Sequence, residues 1–452
     1  MASTKITRTQ VTGSTNGTKI FTISVWFKLA TVTTTQSCIW SSGTASTDSI
    51  DLHVDATNQL TFESWDGSSN PKLQLSRKLR DPAAWYHVVM AVDSTEAVDT
   101  NRLKMWVNGV QETAFGSSTY PTLNYEFPGT GVASDVTTIG VGTQGSYTGN
   151  YFNGEMSHFH FIEGTAYAAS TFGETDSTSG IWKIKTSPSV TYGNNGFFLK
   201  MEDRTNLDLD SSPNALTFTT TGTGTATYDN PSNSFCTLNP SDNYYPASTF
   251  SNGNNTIVTH SSNYSYNTGT MGLSAGLWYW EEKIGSSSSY DLVGIADSPT
   301  LSADGWLGYY TYSYGYRSDT GQVYTATSGT AYGGTYTTGD IIGVYLDLTA
   351  NKLYFAKNGT LENSGTGVSI TAAASTTHGH YFPGVGEYGS SSAGTYNLNF
   401  GNGYFGTTAV TSAVADAGGE GAFEYDPSSG TFDGSSKDFR AICTNNIATY
   451  GG

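Results

Sequence analysis

The sequence is short of charge, of cysteine and of helix-forming runs. Only 13% of its 452 residues are Asp, Glu, Lys or Arg, about half the ~25% usual for soluble domains. Basic residues are the scarcest, 20 Lys and Arg against 38 Asp and Glu, for a formal net charge of −18. That scarcity argues against nucleic acid as a partner, because phosphate binding needs clustered Lys/Arg and counterion release. An anionic membrane surface is disfavoured for the same reason. The acidic excess is spread over both halves of the chain, where it serves solubility rather than marking a site. No run of 18 apolar residues occurs, so no transmembrane helix is expected. Met1 to Gln10 hold no apolar segment of a signal peptide. Three cysteines, Cys38, Cys236 and Cys443, are odd in number and frame no disulfide scaffold; they read as small buried hydrophobes of a chain made in a reducing cytoplasm. Long Ala/Leu/Glu/Lys stretches are missing too, which excludes a helical architecture.

What fills the chain is glycine (53), tyrosine (30) and many Ser and Thr, with apolar residues set at every second position. Phe21, Ile23, Val25, Phe27 and Leu29 alternate in this way, as do Tyr86, Val88, Met90 and Val92, then Leu103, Met105 and Val107. Such a period of two places one face of each strand in a core. Asn108-Gly109 follows, and a type I′ turn with positive φ at both residues predicts a hairpin tip there. The pattern returns in Asp340 to Leu348, Lys352 to Lys357 and Asn358-Gly359. Strand, strand, Asn-Gly, strand at 85–112 and again at 340–362 predicts two sandwich domains on a common plan, with two unrelated antiparallel folds as the alternative. Residues 171–195 are rich in turn formers and 196–245 read as an irregular crossover, so 171–245 is expected to be a linker. After Phe405 the chain is small and polar up to Gly434, and Asp438 to Cys443 form one last apolar patch. The tail 406–452 is expected to pack on its own domain or on a neighbour. The fold class is all-β.

Ile23 to Lys28, Ala84 to Val89, Leu103 to Gly109 and Tyr151 to Phe161 fall in the order of a laminin-G/pentraxin-like domain. That resemblance covers 1–170 and implies a concanavalin A-like jelly-roll sandwich. Gly276 to Glu281, Val293 to Ile295, Thr338 to Val344, Lys352 to Gly359 and Phe400-Gly401 resemble a SPRY (B30.2) domain over 246–405, also a concanavalin A-like sandwich. This order, with Phe172 to Trp182, Gly196 to Lys200 and Phe439 to Asn446, is similar to virion proteins of marine tailed phages. The resemblance implies a non-catalytic structural protein of the virion exterior, either a capsid decoration or a component of a tail or head fibre. It would be made in the host cytoplasm and would bind other virion proteins and host-surface glycan. A homo-oligomer, trimer or dimer, is expected, because fibres and decorations close by symmetry. No cofactor is required, and calcium is the ion that laminin-G-like domains carry at a loop rim. The alternative is a free glycan-binding lectin or a polysaccharide depolymerase on the same fold. A cellular scaffold using SPRY to hold a peptide lacks its usual companion modules here.

Tyr310, Tyr312, Tyr314 and Tyr316 alternate, so they are expected on one face of a strand. They offer a sugar-stacking or protein-contact surface, or else a cross-strand aromatic ladder inside the sandwich. Trp65, in Ser64-Trp-Asp-Gly67, is either an exposed aromatic at a loop or a hairpin corner. A retaining glycosidase needs two carboxylates about 5 Å apart, and no Glu-x-Asp-x-x-Glu string is present. Glu281-Glu282 and Glu202-Asp203 are adjacent, which sends the two side chains to opposite faces; carboxylates from separate strands remain a route to such a pair. His158-Phe-His160 and His378-Gly-His380 are isolated pairs, short of the three or four ligands zinc requires. For calcium, Asp48, Asp51 and Asp55, or Asp93 and Asp99, are the carboxylates on offer, with no EF-hand spacing among them.

Overall fold

The alternating segments become strands, Ile20–Leu29, Tyr86–Asp93 and Leu103–Val107 among them. The computed structural model describes residues 3–451 apart from 33–34, 46, 143–148, 244–246, 262–263, 300–304 and 390–392. The chain forms two units, Met1–Ala226 and Thr227–Gly452. Each is a sandwich of antiparallel sheets, with one short parallel pairing in the second.

In the first unit an eight-stranded sheet runs Phe115–Thr119, Lys72–Leu75, Leu60–Trp65, Asp48–Val54, Ser37–Ala45, Val136–Ile139, Lys5–Thr9, Thr219–Thr221. It faces a six-stranded sheet with Gly154–Glu163, Ile20–Leu29 and Tyr86–Asp93 at its centre. Phe21, Ile23, Val25 and Phe27 of one sheet and Ile50, Leu52 and Phe62 of the other bury the core between them, each large apolar side chain contributing about 1.5–3 kcal/mol. The second unit repeats the plan. A nine-stranded sheet carries Leu277–Ser286, Ile341–Asp347 and Lys352–Lys357, and a six-stranded sheet carries Asp291–Ala296, Ser313–Arg317 and Phe382–Glu387. Trp278, Trp280, Val293, Ile295, Val344 and Phe355 lie between them.

Both Asn-Gly turns are built alike. Asn108 and Gly109 sit at φ of 48° and 79°, and Asn358 and Gly359 at 50° and 79°. Asn108 Oδ1 accepts the amide of His87 at 2.8 Å, and Asn358 Oδ1 accepts that of Ile341 at 2.9 Å. Each glycine also has a second duty, close approach to an aromatic ring. A Cβ on Gly109 would stand 2.3 Å from the Trp182 ring, and one on Gly359 2.5 Å from the Tyr425 ring.

Those two contacts change the expected domain plan. Residues 171–243 do not form a separate linker but divide between the two units. Trp182 is held between Gly109 and Gly173, stacks on His87 and donates Nε1 to His87 Nδ1 at 3.0 Å. With Phe172 and Tyr192 it covers Val89, Ala91 and Trp106 on the outer face of the six-stranded sheet. Phe197–Leu199 and Thr219–Thr221 then add edge strands to the two sheets. Residues 227–243 belong to the second unit, where Cys236 donates its amide to Ile442; the expected boundary at 245/246 lies outside the described residues. The tail after Phe405 packs on its own unit. Arg440–Ala441 pairs with Leu277–Ser286, and Phe423, Phe432 and Phe439 cover Tyr279, Tyr345 and Tyr354. All three cysteines are buried and outside any disulfide.

Trp182→Ala is expected to lower the stability of the first unit by about 3 kcal/mol, the low end for a Trp truncation because the ring is only part-buried. Chemical denaturation measures it, and Gly109→Ala should move stability the same way. A second expectation concerns pH. Burial raises the Glu281 carboxyl to about 7 and the Glu387 carboxyl to about 8, so the native second unit holds protons that the unfolded chain has lost. The contribution is fully present below pH ~4.5 and is lost as pH rises through 7 and then 8. The melting temperature of this unit should therefore fall from pH 6 to pH 9, and Glu387→Gln should flatten the fall by about 2–4 °C per kcal/mol recovered.

Candidate functional site

The tail and residues 172–192 cover one sheet of each unit, and the outer faces of the other two sheets hold the remaining clusters of polar and aromatic side chains. In the second unit, the six-stranded sheet carries a segment, residues 305–312, laid across that face. Glycine makes the approach possible. A Cβ on Gly315 would stand 2.2 Å from the Leu307 carbonyl oxygen, and one on Gly384 2.9 Å from the Leu307 side chain. The Gly308 amide donates to Ser313 Oγ at 2.7 Å and the Thr327 amide to the Gly308 carbonyl at 3.1 Å, tying both ends of the turn down.

The segment brings Trp306 edge-on to Tyr388 at 4.8 Å and to Tyr324 at 5.4 Å between ring centroids. Tyr264 stacks on Tyr388 at 5.0 Å, and Tyr310 meets Tyr309 at 5.1 Å. At the centre stands Arg317. Its guanidinium lies 4.3 Å from the Tyr388 ring centroid and 5.4 Å from those of Tyr290 and Tyr324. It donates to both oxygens of Asp319, at 2.6 and 2.8 Å. Tyr290 and Tyr309 are exposed and Tyr264, Tyr310, Tyr324 and Tyr388 half-buried, so rings and hydroxyls reach solvent round a fixed cation. Rigid aromatics give contact area at small entropic cost, and Arg joined to them is the composition of binding hot spots.

The four alternating tyrosines do not share one strand face. The strand begins only at Ser313, because residues 307–312 turn instead of extending, and the period of two fails before it. Tyr310 joins the outer aromatic group. Tyr312 packs against the inner core, and Tyr314 and Tyr316 are buried in it. Tyr314 Oη accepts the Thr371 amide at 3.0 Å, and Tyr316 Oη donates to the Gly334 carbonyl. Trp65 ends its strand with 38% of its surface exposed, beside an Asp66 turn closed by Ser68, Ser69 and Tyr125. Arg317, Trp306, Tyr324 and Tyr388 were missed in sequence. A signal existed for one of them: Arg317 is the only basic residue between Lys283 and Lys352.

The histidine pairs stay apolar in character. A register shift interrupts the strand between Ser157 and His160, and His158 takes φ of 49° there. Burial lowers His87 to about 3 and His158 to about 4 and takes His160 down as well, so all three imidazoles are neutral at pH 7. His378 instead lies 3.6 Å from Asp297. Glu281 and Glu282 do face opposite ways, Glu281 to the Glu424 and Tyr425 amides of the tail and Glu282 to Trp280 Nε1. Asp55 and Asp93 accept hydrogen bonds from their own turns, at Thr57 and Gln59 and at Thr95. Among the described residues, the one group of three or more metal-type ligands in reach of each other is Asp51, His53 and Glu63.

Comparison with known proteins agrees with this division. Residues 4–170 match the laminin G-type model described as the concanavalin A-like lectin/glucanases superfamily, and residues 277–402 match the SPRY domain model. The chain carries a laminin G-type domain followed by a SPRY domain. Ran-binding protein 10 of Danio rerio is 38% identical over 90 residues, 19% of this chain and 14% of that protein. The dual specificity protein kinase splA of Dictyostelium discoideum is 30% identical over 142 residues, 29% of this chain and 5% of the kinase. The chain thus spans about a seventh or less of these relatives' lengths. Among solved structures, the SPRY domain of human HERC1 is 20% identical, with 36% of this chain and 96% of that chain covered and a TM-score of 0.30. A pentraxin from Limulus polyphemus is 15% identical, with 44% and 88% covered and a TM-score of 0.29.

Gly315→Ala is expected to push Leu307 and its segment off the sheet, at about 1–3 kcal/mol as for other overpacked sites. The Trp306 ring would lose its tyrosine neighbours, which tryptophan fluorescence of the variant reads out.

Proposed function

We propose that this chain is a non-catalytic adhesive protein of the exterior of a tailed-phage virion, and that its SPRY unit binds host-surface glycan through the face around Arg317. The observation that supports the binding reading most directly is that face: three tyrosine rings round one guanidinium, joined ring to ring with Trp306, Tyr264, Tyr309 and Tyr310. Sugar rings stack on such aromatics through their apolar C–H faces, while Arg and tyrosine hydroxyls take the polar edges. Laminin G-type and SPRY domains are both binding modules, which supports adhesion over chemistry. The virion placement rests on the domain order and the shared terminal motif; the curated relatives found are eukaryotic. A closed trimer or dimer would multiply weak glycan contacts into useful avidity.

The depolymerase reading keeps one observation of its own. Asp51 and Glu63 are partners across adjacent strands, so carboxylates from separate strands do meet. Each has a cationic or imidazole neighbour, Lys72 for Glu63 and His53 for Asp51, and both are buried. That leaves neither as a free nucleophile at a cleft, and adhesion is the better reading.

Glycan arrays probed with the whole chain test the proposal. Arg317→Ala and Tyr388→Ala should each weaken binding by at least ~10-fold, the effect of a hot-spot residue. Undiminished binding in both, with loss in Trp65→Ala, would move the site to the first unit.

A further inference from the structure

The outer face of the eight-stranded sheet in the first unit carries a group of side chains that adhesion through Arg317 does not use. Asp51 and His53 alternate along Asp48–Val54, and Glu63 stands directly across from Asp51 on Leu60–Trp65. Lys72 stands across from Glu63 on the next strand. Ile50, Leu52, Val54, Leu60 and Phe62 point the other way, into the core, so the strand period itself sets these polar residues on one face. Nitrogen of His53 and one oxygen from each carboxylate lie within 4.8 Å of one another, and all three residues are buried.

A second, separate feature points at a ligand. Thr61 pairs with His53 in the ladder and precedes Glu63 by two residues, so it shares their face. It is fully buried, and its hydroxyl has no hydrogen-bond partner among the described residues. Native structures seldom leave a buried hydroxyl unpaired. The charges also read as a site filled by a substitute. The Lys72 ammonium sits 3.1 Å from Glu63 and keeps 27% of its side chain in solvent, and His53 Nδ1 pairs with Asp51.

The geometry points to a divalent-cation site of the zinc class at His53, Asp51 and Glu63, with Lys72 as the cation that occupies it when no metal is bound. One imidazole nitrogen and two carboxylate oxygens are a donor set zinc accepts, with a fourth position left open. Calcium takes six to eight oxygens and no imidazole, so this group does not serve the calcium expected at a loop rim. On binding, the ammonium of Lys72 swings out to solvent and leaves the Glu63 oxygen to the metal. Thr61 Oγ1 then has a partner, a metal-bound water or a ligating carboxylate. The site is independent of the glycan reading.

The test uses the whole chain, stripped with a chelator and titrated with Zn²⁺, and separately with Ca²⁺, by calorimetry at pH 7.5. One Zn²⁺ per chain is expected, with no Ca²⁺ binding at this group. His53→Gln and Glu63→Gln should each weaken Zn²⁺ binding by at least ~100-fold, more than is lost with an outer-shell partner. Lys72→Gln keeps every ligand and removes the competing ammonium, so it should tighten binding by ~10-fold. No saturable Zn²⁺ binding by the parent chain overturns the proposal, as does unchanged affinity in His53→Gln. Should the ligand variants fail to fold, Lys72→Gln decides alone, and equal or weaker affinity there overturns it.

Discussion

Each unit depends on one contact, an aromatic ring laid on the glycine of an Asn-Gly turn. A sandwich buries the two inner faces of its sheets against each other, but β-sheet leaves each of those sheets an outer face as well. Where that outer face carries Val89, Ala91 and Trp106, or Tyr279, Tyr345 and Tyr354, it is too apolar to meet water. Trp182 and Tyr425 bring the covering chain to those faces, and only glycine lets them come so close. The same glycine is the residue that the type I′ turn needs for its positive φ. One residue thus closes the hairpin and seats the cover.

Scarcity of charge shapes how those covers are held. With few Lys or Arg to pair with, buried carboxylates collect backbone amides instead. Glu163 accepts from the amides of Ser14, Asn194 and Asn195 in the first unit. In the second, Glu281 takes those of Glu424 and Tyr425, and Asp416 those of Glu420, Gly421 and Ala441. These hydrogen bonds satisfy loop amides that have no strand to pair with.

Period two and the Asn-Gly pairs made both sandwiches readable in sequence, down to the repeated hairpin. The covering segments were not readable. Residues 171–195 are as rich in turn formers as any linker, and nothing in their pattern says that Trp182 reaches back to Gly109, more than seventy residues earlier. The tyrosine-rich stretch misled for a related reason. Alternation predicts a face only where backbone is extended, and Gly308 at φ of 108° sends the chain through a turn before Ser313. The cluster of Asp51, His53 and Glu63 depends on register between two strands, Asp51 against Glu63, which spacing along one strand does not contain.

The covered sheet is the same one in both units, the sheet that holds the Asn-Gly hairpin. The opposite sheet in each unit carries the polar and aromatic groups instead, and those two faces have diverged on one plan. In the laminin G-type unit that face is ionic and small, with Asp51, His53, Glu63, Lys72 and Thr61 set by strand period. In the SPRY unit it is aromatic, and its one guanidinium is held by Asp319 and three tyrosine rings. A fold fixes where a site goes and not what it does. Here the repeated cover explains the place, and the side chains of the opposite strands set two different characters, an ionic cluster in one unit and a group of aromatic rings in the other.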